Sequence, residues 1–143
     1  MTKYLNTRID SLKILTSALL NYAETFSFVI RKDGSYSQSI KFLLIELEKY
    51  LVDYRSVSEW PGTKLLWEED KAVLYTYYLN NETAFILYNY EDYLFNWIHP
   101  ASPEDLVFYK NDKAFFISIT HEQDAYFELD DNGEYFLKNK RLI

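Results

Sequence analysis

Hydrophobic positions in the first third of the chain return every three or four residues. Leu5, Ile9, Leu12, Leu15, Leu19, Ala23, Phe26 and Ile30 would share one face of a 3.6-residue helix. The spacing predicts a helix that ends at "RKDG", where Gly34 tolerates positive φ and Arg31 and Lys32 suit the negative end of the dipole. Ser35 and Gln38 have the form of a capping box for a second helix, with Ile40, Leu43, Leu44, Leu47, Leu51 and Tyr54 on its apolar side. The Pro-Gly pair within residues 55–63 marks a turn. Two helices with a short connection are expected to pack antiparallel.

Beyond residue 63 the period falls from about 3.6 to about 2. "KAVLYTYYL" (71–79) and "TAFILYNY" (83–90) are expected to form a hairpin around Asn80, Asn81 and Glu82. "LVFYK" and "KAFFISIT" predict a second hairpin across Asn111-Asp112, and "DAYFEL" and "EYFLK" a third across residues 130–133. "KLLWEED" is a short candidate strand, and residues 91–105 read as irregular. The expectation is an α+β fold in which two N-terminal antiparallel helices pack on a C-terminal, mainly antiparallel sheet. At 143 residues this is one domain, 1–143, with a helical part (1–54) and a sheet part (64–143).

Composition narrows the function. A 48% hydrophobic and 19% aromatic chain with three glycines is no disordered polypeptide. Zero cysteines remove disulfides, thiolate nucleophiles and cysteine-based zinc sites. No leader pattern and no membrane-length apolar run is visible, so a cytoplasmic protein without membrane contact is expected. Charge is uneven: residues 64–143 carry 7 basic and 15 acidic side chains, a net of -8. That field repels phosphate backbones and argues against nucleic acid as a partner, whereas a basic protein surface would be drawn to it.

Motifs for chemistry are thin. His121-Glu122 is not a zinc-protease helix, because Ala125 stands where its second histidine belongs. Adjacent residues on a strand point to opposite faces, and His99 is the only other imidazole. A polar turn is the simpler reading, leaving open only a mixed histidine–carboxylate site. Glu68-Glu69-Asp70, Glu91-Asp92, Glu104-Asp105 and Asp130-Asp131 fall mostly at expected turns, where solvated acids are ordinary. No nucleophile elbow, phosphate loop or dinucleotide fingerprint is present. No catalytic residue, metal ligand or cofactor is assigned. The 18 aromatics of residues 64–143 either fill the core or supply interface anchors.

The stretch "PEDLVFYKNDKAFFISITHEQDAYFEL" (103–129) resembles small bacterial immunity proteins of toxin systems. Its features are a Pro-Glu-Asp-Leu turn, a strand, a two-residue polar turn, an aromatic strand ending in His-Glu, and another strand. The likeness covers about a fifth of the chain. It implies a small, acidic, non-enzymatic protein that neutralises one cognate toxin by masking its surface. The residues expected to meet that partner are Glu68, Glu69, Asp70, Glu91, Asp92, Trp97, His121 and Glu122. The competing expectation is a small-molecule binder or enzyme on a cone-shaped scaffold of helices and a curved, aromatic-lined sheet. The sequence leaves the oligomeric state open.

Overall fold

The computed structural model describes residues 2–4, 10–32, 37–66 and 71–142. Its strands are β1 (Thr2–Tyr4), β2 (Thr25–Arg31), β3 (Leu51–Val57), β4 (Glu59–Trp60), β5 (Thr63–Lys64), β6 (Ala72–Tyr78), β7 (Glu104–Lys110), β8 (Lys113–Ile119) and β9 (Asp124–Glu128). The helices are α1 (Leu12–Leu19), α2 (Gln38–Leu47), α3 (Asn81–Tyr90) and α4 (Asp131–Asn139). Seven strands form one antiparallel sheet in the order β1-β9-β8-β7-β2-β6-β3, and β4 and β5 make a separate small hairpin. The α+β class and the mainly antiparallel sheet agree with the sequence pattern.

The placement of the helices differs from it. Over the described part of the expected long first helix, the chain forms α1 followed by the inner strand β2, and Leu5 and Ile9 lie outside the described residues. Leu12, Leu15 and Leu19 are the buried stripe of α1. Phe26, Phe28 and Ile30 then alternate along β2, and Ser27 and Val29 between them are also buried. A strand covered on both faces loses its alternation, and Phe26 and Ile30, four apart, fit either period. The second helix ends at Leu47 rather than Tyr54, and its last apolar residues belong to β3. Its cap is Ser37, whose hydroxyl accepts from the Ile40 amide; Ser35 and Gly34 lie outside the described residues. The two early helices are not a sequential hairpin, since β2 separates them and both pack against α3.

Two expected strands are helices. At "NETAFILYNY", the Asn80 carbonyl side chain accepts from the Thr83 amide, and the Thr83 hydroxyl accepts from the Asn80 amide, both at 2.9 Å. This reciprocal cap starts α3, which buries Thr83, Ala84, Ile86 and Leu87 at helical spacing. At "DNGEYFLKN", Asp130 caps the Gly133 amide at 2.8 Å and starts α4. The β7–β8 hairpin is as expected, with Asn111 and Asp112 both at positive φ, the backbone a two-residue turn of primed type needs.

One sheet face carries the main core. Leu12, Leu15 and Leu19 of α1, Ile40, Leu43 and Leu47 of α2, Leu87 of α3 and Leu137 of α4 meet Phe26, Phe28, Tyr77, Phe108, Phe116 and Phe127. The rings interlock, with Phe26 on Tyr77 at 5.5 Å and Phe116 on Phe127 at 4.9 Å. The opposite face is partly covered by the β4–β5 hairpin, where Trp60 packs on Val29, Ala72 and Leu74. Gly62, at φ +89, turns that hairpin so close to the sheet that a Cβ would stand 3.0 Å from Ile117 Cγ2 and Ile119 Cγ1.

Candidate functional site

The start of β7 departs from regular pairing. Val29 faces Glu104 while Ser27 faces Val107, so two β7 residues, Asp105 and Leu106, stand opposite Phe28 alone. Asp105 takes φ 60 in this bulge, a conformation an aspartate tolerates better than most residues. Its carboxylate is thereby turned into the protein, where it is 1% exposed. Oδ1 accepts from the Thr120 amide at 2.9 Å and the Thr120 hydroxyl at 3.0 Å. Oδ2 accepts from the Trp60 indole at 2.9 Å and the Thr63 hydroxyl at 3.4 Å. Next to it, buried Glu104 is paired with Arg31, whose guanidinium lies 5.6 Å from the centre of the Trp60 ring.

Glu104, Asp105 and His121 bring one ligand-type atom each within 4.8 Å of one another, the mixed histidine–carboxylate arrangement that the sequence left open. The donors already present argue for a structural part. Four hydrogen bonds engage the lone pairs of Asp105, and Arg31 places a positive charge on Glu104 where a cation would otherwise sit. The knot joins β2, the β4–β5 hairpin, β7 and the turn after β8.

That turn carries the expected His121-Glu122 pair. Thr120–Glu122 form a single 3-10 turn, and Gln123, at φ 52, redirects the chain into β9. His121 and Glu122 side chains are 45% and 60% exposed, with His121 Nε2 3.9 Å from Glu122 Oε1. The polar-turn reading is correct, except that the turn holds one helical turn. It contacts another 3-10 turn, Leu94–Asn96, which follows Glu91 and Asp92.

Glu91 and Asp92 have local duties. The Asp92 carboxylate accepts from the Lys13 amide at 2.8 Å and the Ser11 hydroxyl at 3.0 Å, and the Asp92 carbonyl accepts from the Leu12 amide at 2.7 Å. A carboxylate at the N-terminus of α1 meets its orphan amides and the positive end of its dipole. Glu91 accepts from the Tyr93 amide at 3.1 Å. Its carbonyl accepts a hydrogen bond from the Trp97 indole at 2.8 Å. Trp97 is 0% exposed and packs on Phe28 and Tyr90. Its expected role as a surface anchor is therefore corrected: the ring belongs to the core, and so does its one polar atom. Glu68, Glu69 and Asp70 lie outside the described residues.

Between the two 3-10 turns opens a pocket of about 290 Å³ lined by Tyr4, Asp10, Tyr93, Phe95, Gln123, Asp124 and Ala125. The backbone holds it together: the Leu94 amide donates to the Asp10 carbonyl at 2.9 Å, and Ser11 bridges to Tyr93. Tyr93 and Phe95 meet edge to face at 5.9 Å, and Tyr4 stands against Tyr126 at 6.3 Å. Burial first, and then the charges of Glu128 and Asp124, push the Tyr126 hydroxyl above its ordinary pKa. Carboxylates beside aromatic faces favour a cationic group.

Of the expected contact residues, the structure gathers Glu91, Asp92, His121 and Glu122 around these two turns and leaves Trp97 inside. The sequence reading missed the pocket's own lining. Tyr93 and Phe95 stand two apart in "DYLFNW", and Asp124 was legible only as a turn residue. Asp10 comes from a distant part of the chain that no local pattern connects to them. Compared with known proteins, the chain matches no family model, no curated relative and no solved structure. Among the described residues no helix is long and apolar enough to cross a membrane.

Proposed function

We propose that this chain is a non-enzymatic, protein-binding protein of the immunity type, which neutralises a cognate toxin by masking a basic surface. The observation that carries the reading is the acidic, aromatic pocket between the Leu94–Asn96 and Thr120–Glu122 turns, lined mostly by the half of the chain whose net charge is -8 and completed by Tyr4 and Asp10. A lysine or arginine of the partner would enter between Tyr93, Phe95 and Tyr4 and meet Asp10 and Asp124. His121 and Glu122 would form part of the rim. Long-range attraction from the acidic half would speed encounter, and the aromatic contacts would slow release. The reading needs no cofactor, and it places the protein in the compartment where its toxin is made, the cytoplasm.

The alternative, a small-molecule site on a cone-shaped scaffold, calls for an open aromatic cavity under the helices. The rings of Phe26, Phe28, Tyr77, Trp97, Phe108, Phe116 and Phe127 fill that space, which favours the binding-surface reading. The experiment is titration of the purified cognate toxin with wild type and with the Asp10→Asn, Asp124→Asn double variant. The proposal expects tight binding that weakens with added salt and falls at least tenfold in the variant. Equal affinity for the two proteins would remove the pocket from the mechanism.

A further inference from the structure

The two edges of the seven-stranded sheet are unlike. β1 offers three residues, whereas β3 offers seven, and Val52, Asp53, Tyr54, Arg55 and Ser56 are all exposed. A long open edge presents unpaired amides and carbonyls that invite another strand. Beside it runs a groove of about 310 Å³ lined by Leu44, Ile45, Glu48, Leu51, Tyr54, Tyr75 and Tyr77. Ile45 and Tyr54 are 66% and 63% exposed, and Phe42, one turn back from Ile45 on α2, is exposed as well. Tyr54 does not hang free, since it stacks on Tyr75 at 6.0 Å and 19°, and Tyr75 stacks on Tyr77 at 6.4 Å and 7°. An ordered ring loses less freedom when a partner covers it.

The order of charges along the edge says which strand it fits. Register with β6 is regular from Asp53 to Val57, after a shift between Leu51 and Asp53. Asp53 pairs with Thr76 and Arg55 with Leu74, so both side chains rise from the same sheet face, and Tyr54 rises from the other. If a second β3 is laid antiparallel with Tyr54 opposite Tyr54, Asp53 of each strand falls opposite Arg55 of the other. Both cross-strand pairs are then opposite in charge, and the contact is its own two-fold complement. Moving the centre to Arg55 would set like charges against each other. On the helix face, the same register brings the exposed apolar residues of the two α2 helices toward the shared seam.

We infer that this protein forms a symmetric homodimer by antiparallel pairing of β3 with β3 of a second copy, centred on Tyr54 and fixed by two Asp53–Arg55 pairs. The surface is remote in sequence from the pocket lining, and the inference stands apart from the toxin-binding proposal.

The test is the mass of the full chain by light scattering after size exclusion. Wild type is expected at about twice 17.2 kDa. Asp53→Arg places arginine opposite Arg55 and Arg55→Asp places aspartate opposite Asp53, so each single variant is expected to halve the mass. The Asp53→Arg, Arg55→Asp double variant restores opposite charges and is expected to return to the dimer. That recovery separates lost pairing from lost folding, and circular dichroism of the single variants checks the same point. A monomeric wild type at concentrations well above a micromolar Kd would overturn the inference. So would a dimer that both single variants leave intact, because the contact would then lie elsewhere.

Discussion

Asp105 ties together three segments on the far side of the sheet. Its carboxylate satisfies a backbone amide, two hydroxyls and an indole that belong to three different segments. Asp105→Ala leaves the buried Trp60 and Thr120 donors without an acceptor and also puts a Cβ-only residue at positive φ. Each loss is of order 1–3 kcal/mol, so the variant should lose about 3 kcal/mol or more, read as a lower urea midpoint. Asp105→Asn keeps the shape and the tolerance of positive φ but converts one acceptor to a donor, and should lose roughly half as much. Equal stability of Asp105→Ala and wild type would contradict the account of the knot. This residue stood in the sequence as half of an ordinary Glu-Asp pair at an expected turn. Its importance depends on a bulge and on Trp60, Thr63 and Thr120, none of which a local pattern brings to it. His121-Glu122 was legible as a turn because Gln123 and Asp124 follow it. Trp97 was misjudged because aromatic density predicts anchors and core rings alike.

At the scale of elements, α3 shows why hydrophobic period alone can fail. "TAFILYNY" is short, with β-branched and aromatic residues that suit a strand, although its buried residues Thr83, Ala84, Ile86 and Leu87 are spaced as on a helix face. The decision lies three residues before that stretch, in the reciprocal Asn80–Thr83 cap. Asn80→Ala should therefore cost about 1 kcal/mol by removing the acceptor for the Thr83 amide, measurable in thermal melts and as faster amide exchange in the first turn of α3. No change in that exchange would mean that packing, not the cap, fixes the helix start. α4 repeats the lesson with Asp130 and Gly133. β2 fails in the opposite sense, because a strand buried on both faces has no alternation left to read. The β7–β8 hairpin was legible from Leu106 onward, because both strands are apolar and aromatic and the turn residues Asn111 and Asp112 tolerate positive φ, whereas Glu104 and Asp105 fell in the stretch read as irregular.

For the whole molecule, charge makes pH a probe. Hydrogen bonds from Tyr50 and Lys49 hold Glu82 below its ordinary pKa of 4.5 and tie the start of α3 to the turn before β3. Lys138 holds Glu134 below the same value. A carboxylate with a depressed folded pKa contributes stability that is fully present above the unfolded value and is lost as pH falls through the folded one. Stability should therefore decline below about pH 4.5. Burial raises the hydroxyls of Tyr77 and Tyr109 above 10.0, so the unfolded chain gives up those protons first. Their contribution is complete below pH 10 and falls away as pH climbs toward the folded values. Denaturant midpoints followed across pH should show a plateau between those limits, and a midpoint that rose beyond pH 10 would contradict the burial of these tyrosines.

Under the proposed function, the pocket lined by Asp10, Asp124, Tyr4, Tyr93 and Phe95 would hold a cationic group of the partner protein. The most direct measurement of the proposed function is survival of cells that express a candidate toxin from a neighbouring gene, with and without this protein. The account predicts that wild type restores growth and that Asp10→Asn, Asp124→Asn, folded to the same extent by circular dichroism, does not. Failure of the wild-type protein to restore growth, or equal rescue by the variant, would contradict it.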